Sequence, residues 1–302
     1  MTASAPPAAI LSAYQGAKPP APDWFRDALA RAPERHSIES GGSTIEYFTW
    51  GAPGKPGLFL LHGGGAHALW WAHIAPFFAD EYRVAAMSMA GMGGSDWRDE
   101  YAIAQHAADM RAVADAAGLM AQGKPVVAGH SFGGAPTATA ASDPNAWVGR
   151  AIIIDSSLQM RHSPGDAERP QRERRFFGSV AEGLGRFRFL PAQSCDNHYI
   201  ADMIARDAIV EVESGRFSWR HDPNGFTNTK RLDSAKRARS ANCPMAMIYG
   251  DRSAIMDDEA LAHLEKTMPA GTPFVAIPDS GHHVMVDQPL ALVAAMRALL
   301  AG

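Results

Sequence analysis

The chain has 302 residues, 46% of them hydrophobic, enough to build one large core with an insertion and no separate second domain. Its net charge of -4 at pH 7 gives no basis for a nucleic-acid partner or an anionic membrane as partner. Two cysteines, Cys195 and Cys243, are too few and too far apart for a disulfide framework and lack metal-ligand spacing, which suits a reducing, cytoplasmic setting.

Met1 to Pro22 reads as a loose Ala- and Pro-rich arm. It has no basic segment leading into an apolar core, so no signal peptide is expected, and no window in the chain approaches the roughly 18 apolar residues of a membrane span. Trp24, Phe25, Ala28 and Leu29 then mark a short helix docked on the body, which closes a first unit over 1–36. A short strand near Ser37 to Glu39 turns at Gly41-Gly42 into a second over Ile45 to Trp50, and Gly54-Lys55-Pro56-Gly57 breaks the chain. The buried run Gly57 to Leu61 leads straight into His62-Gly63-Gly64-Gly65. A helical segment is expected over Trp70 to Ala79, a strand over Tyr82 to Met87, and a helix over Ala102 to Ala117. Met87, Met89 and Met92 read as core filling, Trp70 and Trp71 as packing residues.

The next stretch is the most informative. Pro125-Val126-Val127-Ala128 is an apolar strand, Gly129-His130-Ser131-Phe132-Gly133 a sharp turn, and Gly134 to Ala141 a helix of small residues. A strand, a G-x-S-x-G turn and a helix hold a serine oxygen proud of a sheet, so Ser131 is the candidate nucleophile. The HGGG loop upstream supplies a backbone N–H for a developing oxyanion: we assign it to Gly64, with Gly65 as the other choice, and the second donor to Phe132. Downstream, Gly281-His282-His283 follows the strand Pro273 to Ile277 and precedes a helix opening near Pro289, so His282 is the candidate general base. Each part alone is an ordinary turn, loop or solvated histidine. Their joint order points to nucleophilic catalysis.

These segments, with Ala90-Gly91-Met92-Gly93-Gly94-Ser95-Asp96 and Asp287-Gln288-Pro289, resemble the α/β-hydrolase superfamily from about Ile38 to the C-terminus. The resemblance implies an α/β fold, a mostly parallel eight-stranded sheet flanked by helices and carrying an inserted helical cap, with nucleophile, acid and histidine in that chain order. It also implies an Asp three residues after the Gly that ends strand seven. Here Met245 to Tyr249 leads to Gly250-Asp251-Arg252-Ser253, and a serine cannot supply the charge that orients His282. Some families with this fold carry the acid after strand six, where Ala151 to Ile154 ends in Asp155. Asp155 is our choice, with Asp257 and Asp251 as the alternatives.

The interval 156–242 has no place in the sheet and reads as the cap, which leaves 37–155 and 243–302 as the catalytic domain. Arg161 to Arg188 holds seven arginines against four carboxylates, a composition ordinary for a solvated helix face, with a carboxylate-bearing substrate as the other reading. A longer helix is expected around Tyr199 to Val212. Phe176, Phe177, Phe187, Phe189, Trp219 and Phe226 read as cap core, with some facing Ser131. The last two helices are expected over Asp258 to Met268 and Pro289 to Leu300.

Together these readings give two-step acyl transfer to water through an acyl-enzyme on Ser131, His282 and Asp155, with no cofactor or metal required, and the resemblance implies a small-molecule carboxylic ester as the substrate. The sequence alone leaves open C–C bond or lactone hydrolysis and acyl transfer on the same residues, and a ligand receptor that retains the fold. It does not fix the oligomeric state.

Overall fold

Alternation of side chains decides which face of the sheet each residue serves. In the computed structural model, which describes residues 9–159, 171–225 and 229–301, β1 (Glu34–Ser40) and β2 (Ser43–Trp50) form an antiparallel hairpin. Its turn is Gly41-Gly42, with φ of 56° and 74°, the left-handed values such a two-residue connection requires. β3 (Gly57–Leu61), β4 (Arg83–Met87), β5 (Val126–His130), β6 (Arg150–Ile154), β7 (Met245–Gly250) and β8 (Phe274–Ile277) complete eight strands. The sheet order is β1-β2-β4-β3-β5-β6-β7-β8; β2 pairs antiparallel with β4 and all later pairings are parallel. β3 to β6 read as near-continuous apolar runs because both faces are covered. Leu58 and Leu60 enter one core with Trp71, Ile74 and Leu292; Phe59 and Leu61 enter the other with Met110, Val113 and Leu264.

Nine helices are found among the described residues: α1 (Asp23–Ala30), α2 (Ile103–Ala116), α3 (Gly134–Ala141), α4 (Val180–Leu184), α5 (His198–Asp207), α6 (Ser234–Arg239), α7 (Asp258–Thr267), α8 (Val284–Asp287) and α9 (Pro289–Ala301). None of the helices is long and apolar enough to cross a membrane. Met87, Met89 and Met92 are buried in the core.

Four expectations need correction. Trp70 to Ala79 is not one helix but two 3₁₀ turns, Ala68–Trp71 and Ala75–Phe77, with Pro76 inside the second. The described part of the N-terminal arm is tied down: Leu11 is buried, Tyr14 Oη meets His198 Nδ1 at 2.9 Å, and Arg206 Nη2 donates to the Gly16 carbonyl at 3.0 Å. The helix expected over Tyr199 to Val212 stops at Asp207, because Ile209, Val210 and Val212 are β-branched residues that form a strand, Ile209–Glu213. The interval 156–242 carries, besides helices, a three-stranded sheet of Phe176–Phe177, Arg216–Trp219 and Ile209–Glu213. Phe226, Arg161 and Arg169 lie outside the described residues.

Candidate active site

The register of the sheet sets the height of two side chains. His130 pairs with Ile154 across β5 and β6, so Ser131 and Asp155 each stand one residue past a matched pair, at the carboxyl ends of neighbouring strands. Ser131 has φ 51°, an unusual value for a residue with a side chain and the strain a serine on this sharp turn carries. The flanking glycines are required by close approach. A Cβ on Gly129 would collide with the Thr137 hydroxyl and the Gly133 carbonyl, and one on Gly133 with the His62 carbonyl.

The three candidate residues come together. Ser131 Oγ lies 2.9 Å from His282 Nε2, and His282 Nδ1 lies 2.7 Å from Asp155 Oδ1. Asp155 is fully buried and accepts two further hydrogen bonds, from the Gly250 amide at 2.8 Å and from Ser253 Oγ at 2.6 Å. Three donors thus converge on this one carboxylate. With the Asp155 oxygen as acceptor at Nδ1, the proton sits on that nitrogen and the Nε2 lone pair faces Ser131. Asp251 and Asp257 are elsewhere: Asp251 Oδ1 accepts from the Ser280 amide at 3.2 Å, and Asp257 caps α7 by accepting from the Ala260 amide at 2.9 Å.

The HGGG loop is anchored by its own histidine. The Met89 amide donates to His62 Nε2 at 2.9 Å, so the proton sits on Nδ1 and goes to the Gly63 carbonyl at 2.7 Å. Burial pushes the His62 pKa down to about 3, which keeps this clamp neutral. The Gly63 backbone packs against the nucleophile, since a Cβ there would stand 3.2 Å from Ser131 Cβ. Gly64, the next residue, is exposed. Phe132 directly follows Ser131 in a 3₁₀ turn.

A second layer holds the histidine loop. His130 Nε2 donates to the His282 carbonyl at 2.9 Å. The Gly281 amide donates to Asp287 Oδ2 at 2.7 Å, and Gln193 Nε2 donates to the same carboxylate at 3.0 Å while Gln193 Oε1 accepts from the His283 amide at 2.9 Å. Burial is the main cause that raises the Asp287 pKa, to about 6. Sequence reasoning missed Gln193, His62 and Ser253 in these roles. Only Ser253 left a signal, by occupying the position where the resemblance implied an acid. His130 and His283 are both buried, and burial drives their pKa values well below the ordinary histidine value. Ring nitrogens of His130, His282 and His283 lie within 4.8 Å of one another, so among the described residues this trio is the set that could offer imidazoles to a metal ion.

A cavity of about 980 Å³ opens beside Gly64 and His283. Trp70 lines it, a correction to its reading as a packing residue, as do Phe187, Phe189 and Trp219. Phe177 and Phe189 are buried while Phe176 is partly exposed. Arg172, Arg174, Arg175, Arg186 and Arg188 line the cavity too; Arg172, Arg175 and Arg186 are exposed, as a solvated reading expects, but none of the five stands on a helix face. The first three lie on irregular chain before the strand Phe176–Phe177, and the last two follow α4.

Comparison with known proteins adds the following. Residues 58–296 match the model of the alpha/beta hydrolase family. The chain is 27% identical over 282 residues to the esterase Rv0045c of Mycobacterium tuberculosis, covering 89% of each protein. Among solved structures, the thioesterase domain from the curacin biosynthetic pathway superposes with a TM-score of 0.73 at 23% identity, over 88% of this chain and 99% of that one. E-2-(acetamidomethylene)succinate hydrolase superposes with a TM-score of 0.74 at 19% identity, over 89% and 100%. Both structural likenesses concern the fold.

Proposed function

The chain belongs to the alpha/beta hydrolase family, and from that footing we propose that it is a serine hydrolase of carboxylic esters, with Ser131 as nucleophile, His282 as general base and Asp155 as the acid. The observation that carries this reading is the unbroken run from Ser131 Oγ through His282 to Asp155, at 2.9 and 2.7 Å. The likeness to an esterase over 89% of the chain supports the choice of esters.

In this reading His282 Nε2 takes the Ser131 proton as the oxygen attacks the ester carbonyl. The amides of Gly64 and Phe132 hold the tetrahedral oxyanion, and Asp155 stabilises the imidazolium. The intermediate collapses, the C–O bond breaks, and His282 hands its proton to the leaving alcohol. Water, deprotonated by the same ring, then attacks the acyl-enzyme and releases the acid and Ser131. Residues 156–242 act as a cap over this centre, their aromatic side chains forming the wall of the substrate cavity. The acid sits after β6 because Ser253 replaces the carboxylate usual after β7 and instead donates to Asp155.

A fluorophosphonate probe tests the nucleophile. It is expected to label the wild-type chain and leave Ser131→Ala unlabelled, while the wild type turns over p-nitrophenyl butyrate for many equivalents. Equal labelling of the variant would sink the assignment of Ser131. Release stopping at one equivalent would instead indicate a single-turnover receptor.

A further inference from the structure

Charge is unevenly distributed around the cavity beside Gly64 and His283. Its lining includes Arg172, Arg174, Arg175, Arg186 and Arg188 against one carboxylate, Glu173. Exposed arginines are commonly paired or simply solvated, and Arg186 fits that pattern, with Glu182 at 2.9 Å. Arg174 does not. It is half-buried, its Nε donates to Ser218 Oγ at 2.9 Å, its Nη2 reaches the Trp219 carbonyl at 3.4 Å, and its guanidinium lies 4.9 Å from the centre of the Trp97 ring. Ser218 is itself fully buried and fixed, donating to the Arg175 carbonyl at 2.8 Å. All these partners are uncharged. They fix the direction of the fork without matching its charge, and among the described residues no carboxylate pairs with it. A pre-oriented guanidinium with its charge unspent is a receptor for a planar anion, which it grips through paired N–H donors.

The rest of the lining is aromatic and aliphatic apart from Ser218, His221 and His283, with Trp70, Phe189 and Trp219 in the same cavity as Gly64. A substrate whose ester carbonyl lies at Gly64 therefore shares one enclosure with Arg174. Resting on the esterase reading above, we propose that the natural substrate is an ester carrying a free carboxylate on an apolar body, with the carboxylate bound by Arg174 in the field of Arg172 and Arg175.

The test compares acids with their capped counterparts. p-Nitrophenyl monoesters of adipic and suberic acid, with the free carboxylate on the acyl side, are assayed against the same compounds capped as methyl esters; 4-acetoxybenzoate against its methyl ester places the carboxylate on the alcohol side. In at least one pair the free acid should have a kcat/KM about tenfold or more above its capped partner, the scale of a hydrogen bond to a charged group. The advantage should shrink as salt rises and fall toward unity in Arg174→Gln, whereas Arg174→Lys, which keeps the charge without the fork, should retain part of it. A ratio at or below one in every pair, with the capped esters turned over, would overturn the anion site and leave the esterase reading intact. Failure of all esters, capped and free, would remove the esterase reading. In that case titration of Ser131→Ala with adipate still reads the cavity: saturable binding lost in the Ser131→Ala, Arg174→Gln double variant supports the anion site, and its absence, or tighter binding of inorganic phosphate, overturns the carboxylate assignment.

Discussion

From β3 to β6 the body of the sheet is buried along almost every residue and each strand is bonded on both sides. In the interval 156–242 the strands Ile209–Glu213 and Arg216–Trp219 alternate between buried, half-buried and exposed positions in a sheet only three strands wide. The difference separates two demands on one molecule. On the reading proposed above, two of the three reacting groups, Ser131 and Asp155, are mounted where the backbone has nowhere to move. On the same reading, the groups that select a ligand stand on an element whose half-exposed side chains can be exchanged without opening the core.

The comparison can be broken at its strongest point. If the body carries the chemistry, Asp155→Asn should keep the shape, favour the wrong imidazole tautomer and lower kcat by on the order of 10³ to 10⁴. The loss should be the same for short and long acyl chains, while Asp251→Asn and Asp257→Asn keep most activity in the same assay. A small loss in Asp155→Asn with a large one in Asp257→Asn would move the acid. A substitution in the other region should behave differently. Trp219→Ala, which removes a ring from the cavity wall, is expected to change kcat/KM by roughly tenfold and to shift the preferred acyl length upward, since a methylene in such a pocket is worth about 1–3 kcal/mol. A uniform loss over a p-nitrophenyl ester series from acetate to decanoate would deny this region its selecting role.

The smallest effect falls at the seam between the two regions, on Asp287. Its folded value, near 6, lies above the ordinary 3.8, so between those values the folded protein holds a proton that the unfolded chain releases, and stability falls as pH rises through that window. Asp287→Asn cannot ionise and escapes this loss. Its thermal midpoint relative to wild type should therefore climb between pH 4 and pH 7; a pH-independent difference would contradict the raised value.

Legibility followed the same division. Apolar runs between glycine punctuation made β3, β5, β6 and β7 readable, because strands covered on both faces leave no polar position to confuse the period. The candidate site could be proposed from sequence where chemistry dictates residue type: Ser131 on its turn, the glycines after His62, and Asp155, whose carboxylate was sought because Ser253 has none. The interval 156–242 was harder. Its helix and strand meet at Ala208 without a glycine or proline between them, and the arginines gave the same pattern whether they faced water or a cavity. Gln193 was beyond reach, since its contacts with Asp287 and the His283 amide join segments some 90 residues apart.

The matched register of β5 and β6 also has a mechanical side. Ser131 and Asp155 hang from adjacent strands clamped together over five successive residue pairs, so the two behave as parts of one rigid bracket. His282 reaches them from a separate loop and is thereby the single joint of the assembly. Backbone motion able to misalign the three groups acts chiefly through that loop, and the clasp made by Gln193, Asp287 and His130 closes around it.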